Sequence, residues 1–321
     1  MGKILITGGA GFIGSYCVEE FKRNGWKVSV LDNFSTPVIN KDDKILEDVN
    51  LIEGNILDFS WNKLEKYDMI LHMASPVGPA GVLKHSGNMG KYIISDVYWG
   101  IEGALHNKCP LIFMSTSEIY GYRDKAVYLN EEDDKILKGD YKVRNEYSVS
   151  KLLAEVILSN TSKVTDLNYQ IIRPFNISGA RQQIDGGFVL PTFVRQALLG
   201  EDITVFGDGK QIRAFTHVKD ITNGIFKITN NKDYNQNWNI GNPMNEGTIL
   251  NLAIEVKRKL NSKSEIICVD PKTIHGPLYE EAWDKVPDPT KIKEKLNWKP
   301  NYNIDEIIDD VINYYKNKLS L

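Results

Sequence analysis

Tyr147 and Lys151 stand four residues apart in Tyr-Ser-Val-Ser-Lys, a spacing that puts both side chains on one face of a helix. A lysine ammonium beside a phenol stabilises the phenolate and lowers its pKa from about 10. Such a tyrosine can take a proton from a substrate hydroxyl near neutral pH. Tyr/Lys pairs are also common on solvated helices, so the surroundings decide the weight of this one. Upstream, Ser115-Thr-Ser-Glu-Ile-Tyr-Gly121 directly follows the apolar run Leu111-Ile-Phe-Met114. In open parallel sheets, ligands bind outside the carboxyl ends of the strands. Thr116, Ser117 and Glu118 would then face that crevice. Alone, Ser115-Thr-Ser is a polar strand-end turn and Glu118 a surface carboxylate. Their place after a strand and ahead of Tyr-x-x-x-Lys favours a catalytic constellation.

A third segment, Thr7-Gly-Gly-Ala-Gly-Phe-Ile-Gly14, lies between an apolar run and a helical pattern. Gly8, Gly11 and Gly14 permit a tight turn, close approach of backbone N–H groups to a pyrophosphate, and close helix–strand packing. Phe12 and Ile13 lie in the same turn, where the helix N-terminus adds partial positive charge. Asp32 ends the next apolar run at the distance expected of a ribose-binding acid. It would repel a 2′-phosphate, and Asn33-Phe-Ser-Thr36 offers no arginine, so the pattern favours NAD over NADP. The nicotinamide would share the crevice that Thr116, Ser117 and Glu118 face, with Ser115 a cofactor contact. A turn carboxylate capping the next segment is the blander reading of Asp32.

The elements that must position these residues alternate in type. Ile4-Leu-Ile6, Val28-Ser-Val-Leu31, Met69-Ile-Leu71, Leu111-Ile-Phe-Met114 and Tyr169-Gln-Ile-Ile172 read as buried strands. A helix with apolar positions Ile13, Cys17, Val18 and Phe21 stops at Gly25. Alternation of strand and helix predicts an α/β fold, a Rossmann-type doubly wound parallel sheet. The helix bearing Tyr147 has the apolar positions Val149, Leu152, Leu153, Val156 and Ile157, expected to pack on the sheet. After Arg173 the loops lengthen, and Trp238-Asn-Ile-Gly241 reads as a strand returning to the sheet. From about Glu246, two helical patterns flank an apolar strand, Ile266-Ile-Cys-Val269. The expected organisation is a dinucleotide-binding domain over 1–175, with a returning strand near 215–241. A smaller C-terminal substrate-binding cap spans 176–214 and 242–321.

The chain has 321 residues and a net charge of −3, which argues against a nucleic-acid or anionic-membrane partner. Cys17, Cys109 and Cys268 are odd in number and widely spaced, and are read as reduced thiols with neither disulfide nor metal motif. No apolar segment approaches the length of a membrane span, and Lys3-Ile-Leu-Ile-Thr7 is too short for a signal-peptide core. The expected location is cytoplasmic. Three Asn-x-Ser sequons, at Asn33, Asn160 and Asn176, are taken as chance.

Together these motifs resemble the extended short-chain dehydrogenase/reductases, the NAD-dependent nucleotide-sugar epimerases, dehydratases and decarboxylases. The resemblance covers nearly the whole chain. Gly54-Asn-Ile56 is similar to the family's adenine-contacting Gly-Asp-Ile, with Asn55 in place of the acid and Ile56 retained. His72-Met-Ala-Ser-Pro76 resembles the segment beneath the cofactor, which implicates Met73, Ala74 and Ser75; Pro174 is implied in the same role. Arg173-Pro-Phe-Asn176 resembles the segment carrying a substrate-contacting Asn. Phe206-Gly-Asp-Gly-Lys-Gln-Ile-Arg-Ala-Phe215 with Val218-Lys-Asp220 resembles the nucleotide and diphosphate loop, implicating Phe206, Gln211 and Arg213. Leu296-Asn-Trp-Lys-Pro300 resembles a C-terminal Leu-Gly-Trp-x-Pro. Lys285-Val-Pro-Asp288 departs from the family's Arg near Pro-Asp, which puts one phosphate contact in question.

The resemblance implies that Tyr147 removes the C4 hydroxyl proton of a nucleotide-diphosphate sugar while hydride passes to NAD. Lys151 would hold the cofactor ribose, Thr116 the reacting hydroxyl, and Arg213 with Asn176 the diphosphate. Three outcomes share that step: 4-epimerisation, 4,6-dehydration and decarboxylation. Ser117 stands where most dehydratases carry an aspartate. Ser-Thr-Ser-Glu and His-Met-Ala-Ser-Pro are most similar to the UDP-glucuronate decarboxylases. Val77 to Gly90, where substrate and nicotinamide meet, departs from the pattern. Arg181, Gln183 and Arg144 are possible contacts for a sugar carboxylate; an ordinary solvated loop charge is the blander reading of each and the favoured one for Arg144. A non-enzymatic NAD sensor would keep the glycines but not Thr116, Glu118, Tyr147 and Lys151 together. Family members pair two copies through the Tyr-bearing helix and its predecessor, so a homodimer through Tyr92–Leu105 and Lys151–Leu158 is expected.

Overall fold

The computed structural model describes residues 2–123, 127–139, 141–279, 281 and 284–320. The apolar runs form β1 (Lys3–Thr7), β2 (Lys27–Asp32), β3 (Asn50–Glu53), β4 (Met69–His72) and β5 (Leu111–Met114), then strands Tyr169–Pro174 and Gln236–Ile240. They pair in parallel in the order 236–240, 169–174, β5, β4, β1, β2, β3. β3 was not expected. It is a four-residue edge strand, Asn50-Leu-Ile-Glu53, exposed at both ends, so it lacks the apolar run that marks its neighbours. The strand order reverses between β4 and β1. At such a switch point the flanking loops diverge and leave a crevice at the carboxyl ends.

Helices cover both faces. α1 (Phe12–Arg23) and helix Val218–Thr229 pack on one face through Cys17, Val18, Phe21, Ile221, Ile225 and Ile228. Burial of each large apolar side chain there contributes roughly 1.5–3 kcal/mol. Trp298 and Ile292 join this core rather than the C-terminal one, and the Trp298 indole donates to Asp220 O at 3.0 Å. A short helix α2 (Gly78–Lys84) precedes α3 (Met89–Asn107). α3 and α4 (Val143–Val164) cover the other face. Helices Val189–Leu199, Ile249–Leu260 and Ile304–Leu319 share a separate core with strand Ile203–Phe206. That strand pairs in parallel with Ile266–Val269. No helix among the described residues is long and apolar enough to cross a membrane.

α4 departs from expectation. Val149, Leu153 and Val156, expected on the sheet, are 42%, 45% and 46% exposed. The buried face instead carries Asn145, Tyr147, Ser148, Ser150, Lys151, Ala154, Glu155 and Leu158. Periodicity locates an apolar stripe but does not say which surface covers it. Here the polar face must reach the sheet, because hydrogen-bonding partners wait there. Arg173 Nη2 meets Glu155 Oε2 at 2.6 Å and Arg173 Nε meets Oε1 at 3.1 Å. Ser115 Oγ donates to the same carboxylate. Arg173 Nη1 also bonds the Tyr120 hydroxyl and Glu131 O, both at 3.0 Å.

Candidate active site

A cleft of about 2410 Å³ lies between the sheet's carboxyl ends and the second core. It is several times larger than the roughly 300–1,000 Å³ of a single small-molecule pocket, so a dinucleotide and a second large ligand both have room.

One end is the glycine turn. Gly8 has φ +72°, and its N–H donates to Leu31 O at 2.9 Å. A Cβ on Gly14 would sit 2.0 Å from Gly8 O, so the turn closes only without one. Gly11 caps α1 without a side chain, and no acid stands in the first turn. The positive end of the helix is therefore left for an anion. Asp32 lines the cleft beside it. Its Oδ2 accepts Ala10 N at 2.9 Å and its Oδ1 accepts Phe34 N at 2.8 Å. Burial raises the Asp32 pKa while the two backbone bonds pull it down. Asn33 Oδ1 accepts Ser35 N at 3.0 Å, which leaves its Nδ2 to donate to Asn55 Oδ1 at 2.8 Å. Met73 and Ala74 N–H groups both donate to Thr7 Oγ1, at 3.0 and 3.1 Å. Thr7 Oγ1 also meets His72 Nδ1 at 2.9 Å. Burial holds His72 neutral, with its pKa lowered to about 3. Gly8, Gly11, Phe12, Ile13, Gly14, Asn33, Asn55, Ile56, Met73, Ala74, Ser75, Ser115 and Pro174 all line the cleft. A side-chain-free turn, a helix N-terminus and a buried acid fit NAD.

At the centre, Thr116 caps the 3-10 helix Ser117–Tyr120, its Oγ1 accepting Glu118 N at 3.2 Å. Burial pushes the Tyr147 phenol above its ordinary range; the nearby Thr116 hydroxyl and the Arg144 charge pull it down, and Glu118 pushes it up. The expected lowering by Lys151 does not dominate. Lys151 is buried, with Nζ donating to Met114 O at 2.9 Å, and Met114 lines the cleft. Burial lowers the Lys151 pKa to about 8, against the opposing effect of Asp96 and Glu155. Asp96 lines the cleft from α3, and burial raises it to about 7 against the opposing charge of Lys151.

Beside Tyr147 is an ion cluster that the sequence motifs did not reveal. Glu118 Oε2 accepts from Arg144 Nη1 at 2.9 Å, and Oε1 accepts from Lys285 Nζ. Burial raises the Glu118 pKa, but Lys285 and Arg144 together hold it well below the usual carboxylate range. Arg144, expected on a solvated loop, is therefore a wall of the cleft. Its position three residues before Tyr147 on one helix was the available signal. Lys285 is 167 residues from Glu118, a separation no local motif bridges.

The remaining expected contacts also line the cleft. Ser117 is buried beside Glu118. Asn176, at φ +33°, donates to Ala214 O at 3.4 Å. Gln211 donates to Phe206 O at 3.0 Å, and the Phe206 and Tyr279 rings meet edge to face at 5.6 Å. Arg213 is buried against Glu281 at 2.8 Å and Asp284 at 3.6 Å. Arg181 is held on α1: it pairs with Glu19 at 2.6 Å, bonds Ser15 Oγ at 3.1 Å and lies 3.9 Å over the Tyr16 ring. Gln183 donates to Pro37 O at 2.6 Å. These two tie their loop to the glycine-turn side of the cleft, away from Glu118, and Arg144 and Lys285 stand at the centre instead.

A family model described as the NAD dependent epimerase/dehydratase family matches residues 4–241. A UDP-N-acetyl-alpha-D-glucosaminuronate decarboxylase of Bacillus cytotoxicus is 31% identical over 98% of both chains. UDP-glucuronic acid decarboxylase 1 of Danio rerio is 31% identical over 99% of this chain and 73% of its own length. Among solved structures, a UDP-glucose 4-epimerase from Thermotoga maritima, with UDP-glucose, is similar with a TM-score of 0.87 at 26% identity, over 99% of both chains. Similarity that runs through the glycine turn, the strand ends bearing Thr116 and Glu118 and the C-terminal core alike makes this chain an NAD-dependent enzyme of the epimerase/dehydratase family.

Proposed function

We propose that this enzyme decarboxylates a UDP-linked uronic acid through transient oxidation at C4. The observation that carries this reading is the placement of two cations, Arg144 and Lys285, beside Thr116 and Tyr147. A neutral hexose needs no such pair, whereas a C6 carboxylate two bonds from C4 does. The two decarboxylases named above are named for uronic acids that differ at C2, one carrying a hydroxyl and the other an acetamido group, and either fits the reading.

NAD, when bound, supplies the hydride acceptor at C4 and gives the hydride back at the end. Tyr147 takes the C4 hydroxyl proton, with Thr116 holding that oxygen. The resulting C4 carbonyl is β to the carboxylate. The C5–C6 bond then breaks, carbon dioxide leaves, and the electron pair stays on C5 as an enolate. Lys285 gives C5 a proton, and Tyr147 returns its proton to the C4 oxygen. Glu118 has both oxygens in ion pairs, which makes it a poor base for the C5 proton that dehydration must remove. Arg213, Asn176, Gln211 and Phe206 hold the nucleotide and diphosphate.

A second copy of the chain covers the exposed stripe of α4 together with Tyr98 and Leu105 of α3. That stripe is too apolar for a solvated helix.

The test is a panel of UDP, dTDP, CDP and GDP sugars that includes both uronic acids, read by mass spectrometry. Loss of carbon dioxide from a UDP-uronate is expected. Loss of water, or an epimer with no mass change, would overturn the reading. Tyr147→Phe should abolish turnover while NAD stays bound.

A further inference from the structure

We infer that Glu118 occupies the seat of the substrate carboxylate, and that a uronic acid enters the site by displacing Glu118 from Arg144 and Lys285. This rests on the uronic-acid reading above.

Both Glu118 oxygens are committed, one to Arg144 at 2.9 Å and the other to Lys285. The three side chains are 16%, 15% and 8% exposed, so water screens the cluster poorly. Each cation already holds a carboxylate oxygen at contact distance. A second carboxylate aimed at the same cations would stand against the first in a poorly solvated pocket, and like charges so placed cannot both stay. The backbone of Glu118 is fixed by the 3-10 helix and the Thr116 bond, but its side chain reaches the cations through rotatable bonds. The carboxylate is thus the part that moves.

The exchange has a consequence for selectivity. An incoming uronate gains two ion pairs while the protein loses two, so the carboxylate adds little to affinity. A neutral sugar with CH2OH at C6 leaves Glu118 where it is. Acid and neutral sugars therefore bind alike, and discrimination falls on the reaction. Removing the Glu118 charge should reverse this, because the carboxylate at contact distance from both Arg144 and Lys285 would no longer oppose the uronate.

The experiment is calorimetric titration of UDP-glucuronate and UDP-glucose into NAD-loaded enzyme, in a Tyr147→Phe background so that no turnover occurs. With Glu118 present, the two affinities should agree within about threefold. Adding Glu118→Gln should tighten UDP-glucuronate about tenfold and leave UDP-glucose unchanged. Glu118→Asp keeps the charge and should keep the original ratio, and unchanged NAD content shows that each variant is folded. Weaker or equal UDP-glucuronate binding in the Gln variant would overturn the exchange, since Glu118 would then contact substrate from its present seat. Carbon dioxide release by the unaltered enzyme separates the two claims. Release without tightening refutes the exchange alone, and no release from any UDP-uronate refutes the uronic-acid reading on which it rests.

Discussion

Replacing Lys151 by methionine should make the protein more stable at neutral pH. Lys151 is buried, and its pKa falls from 10.5 to about 8, chiefly through burial. At 1.36 kcal/mol per unit, carrying the charge costs the folded state about 3 kcal/mol at pH 7. Methionine fills a similar volume without the charge. It forfeits the bond to Met114 O, 2.9 Å long, and the contact 4.8 Å over the Phe113 ring. Those losses offset about 1 kcal/mol, which leaves a net gain of about 2 kcal/mol. The folded-state pKa lies below the unfolded one, so the folded chain binds this proton less tightly. The cost is fully present below about pH 8 and disappears as pH rises from there towards 10.5. Urea unfolding of both proteins at pH 7 and about pH 9.5 reads this directly, and the gap should shrink to less than about 1 kcal/mol at the higher pH. The samples must be matched for NAD, because bound cofactor adds its own stabilisation. A variant less stable at pH 7, or a gap independent of pH, would refute the reasoning, since Lys151 would then not bear an uncompensated buried charge.

Other perturbations address the rest of the molecule. Gly14→Ala places a methyl 2.0 Å from Gly8 O and 2.8 Å from Gly9 Cα, both backbone atoms that cannot step aside. NAD affinity should fall at least about tenfold by equilibrium dialysis, and unchanged affinity would mean that the cofactor does not use this turn. Arg173→Leu leaves the Glu155 carboxylate buried with the Ser115 hydroxyl but without its cation. A loss of about 3–5 kcal/mol in chemical unfolding is expected, and a loss below about 1 kcal/mol would show that the pair contributes little. Leu153→Asp puts a charge in the exposed stripe of α4. Sedimentation should show a dimer for the parent and a monomer for the variant, and an unchanged mass would place the interface elsewhere.

Local pattern carried the fold far. Short apolar runs separated by helical periodicity imply a parallel sheet, because a helix between two strands returns the chain to the end where the first strand began. The glycine turn and the Asp32 that bonds Ala10 N beside it were legible for a similar reason: both form from residues close in sequence and from backbone geometry. β3 escaped because an edge strand half in water carries too little apolar signal. The apolar stripe of α4 was visible, yet its direction was not, since periodicity is the same whether the covering surface is the chain's own sheet or another chain.

What the sequence by itself determined is therefore the architecture, the glycine turn with Asp32 and the elements bearing Thr116, Glu118 and Tyr147. What only the tertiary structure decided is the charge around those groups. Lys285 reaches Glu118 across 167 residues, Arg144 turns inward onto the same carboxylate, and Lys151 is buried with its ammonium on Met114 O. Electrostatics depends on distance and burial in space, and neither is encoded in the local spacing of a motif.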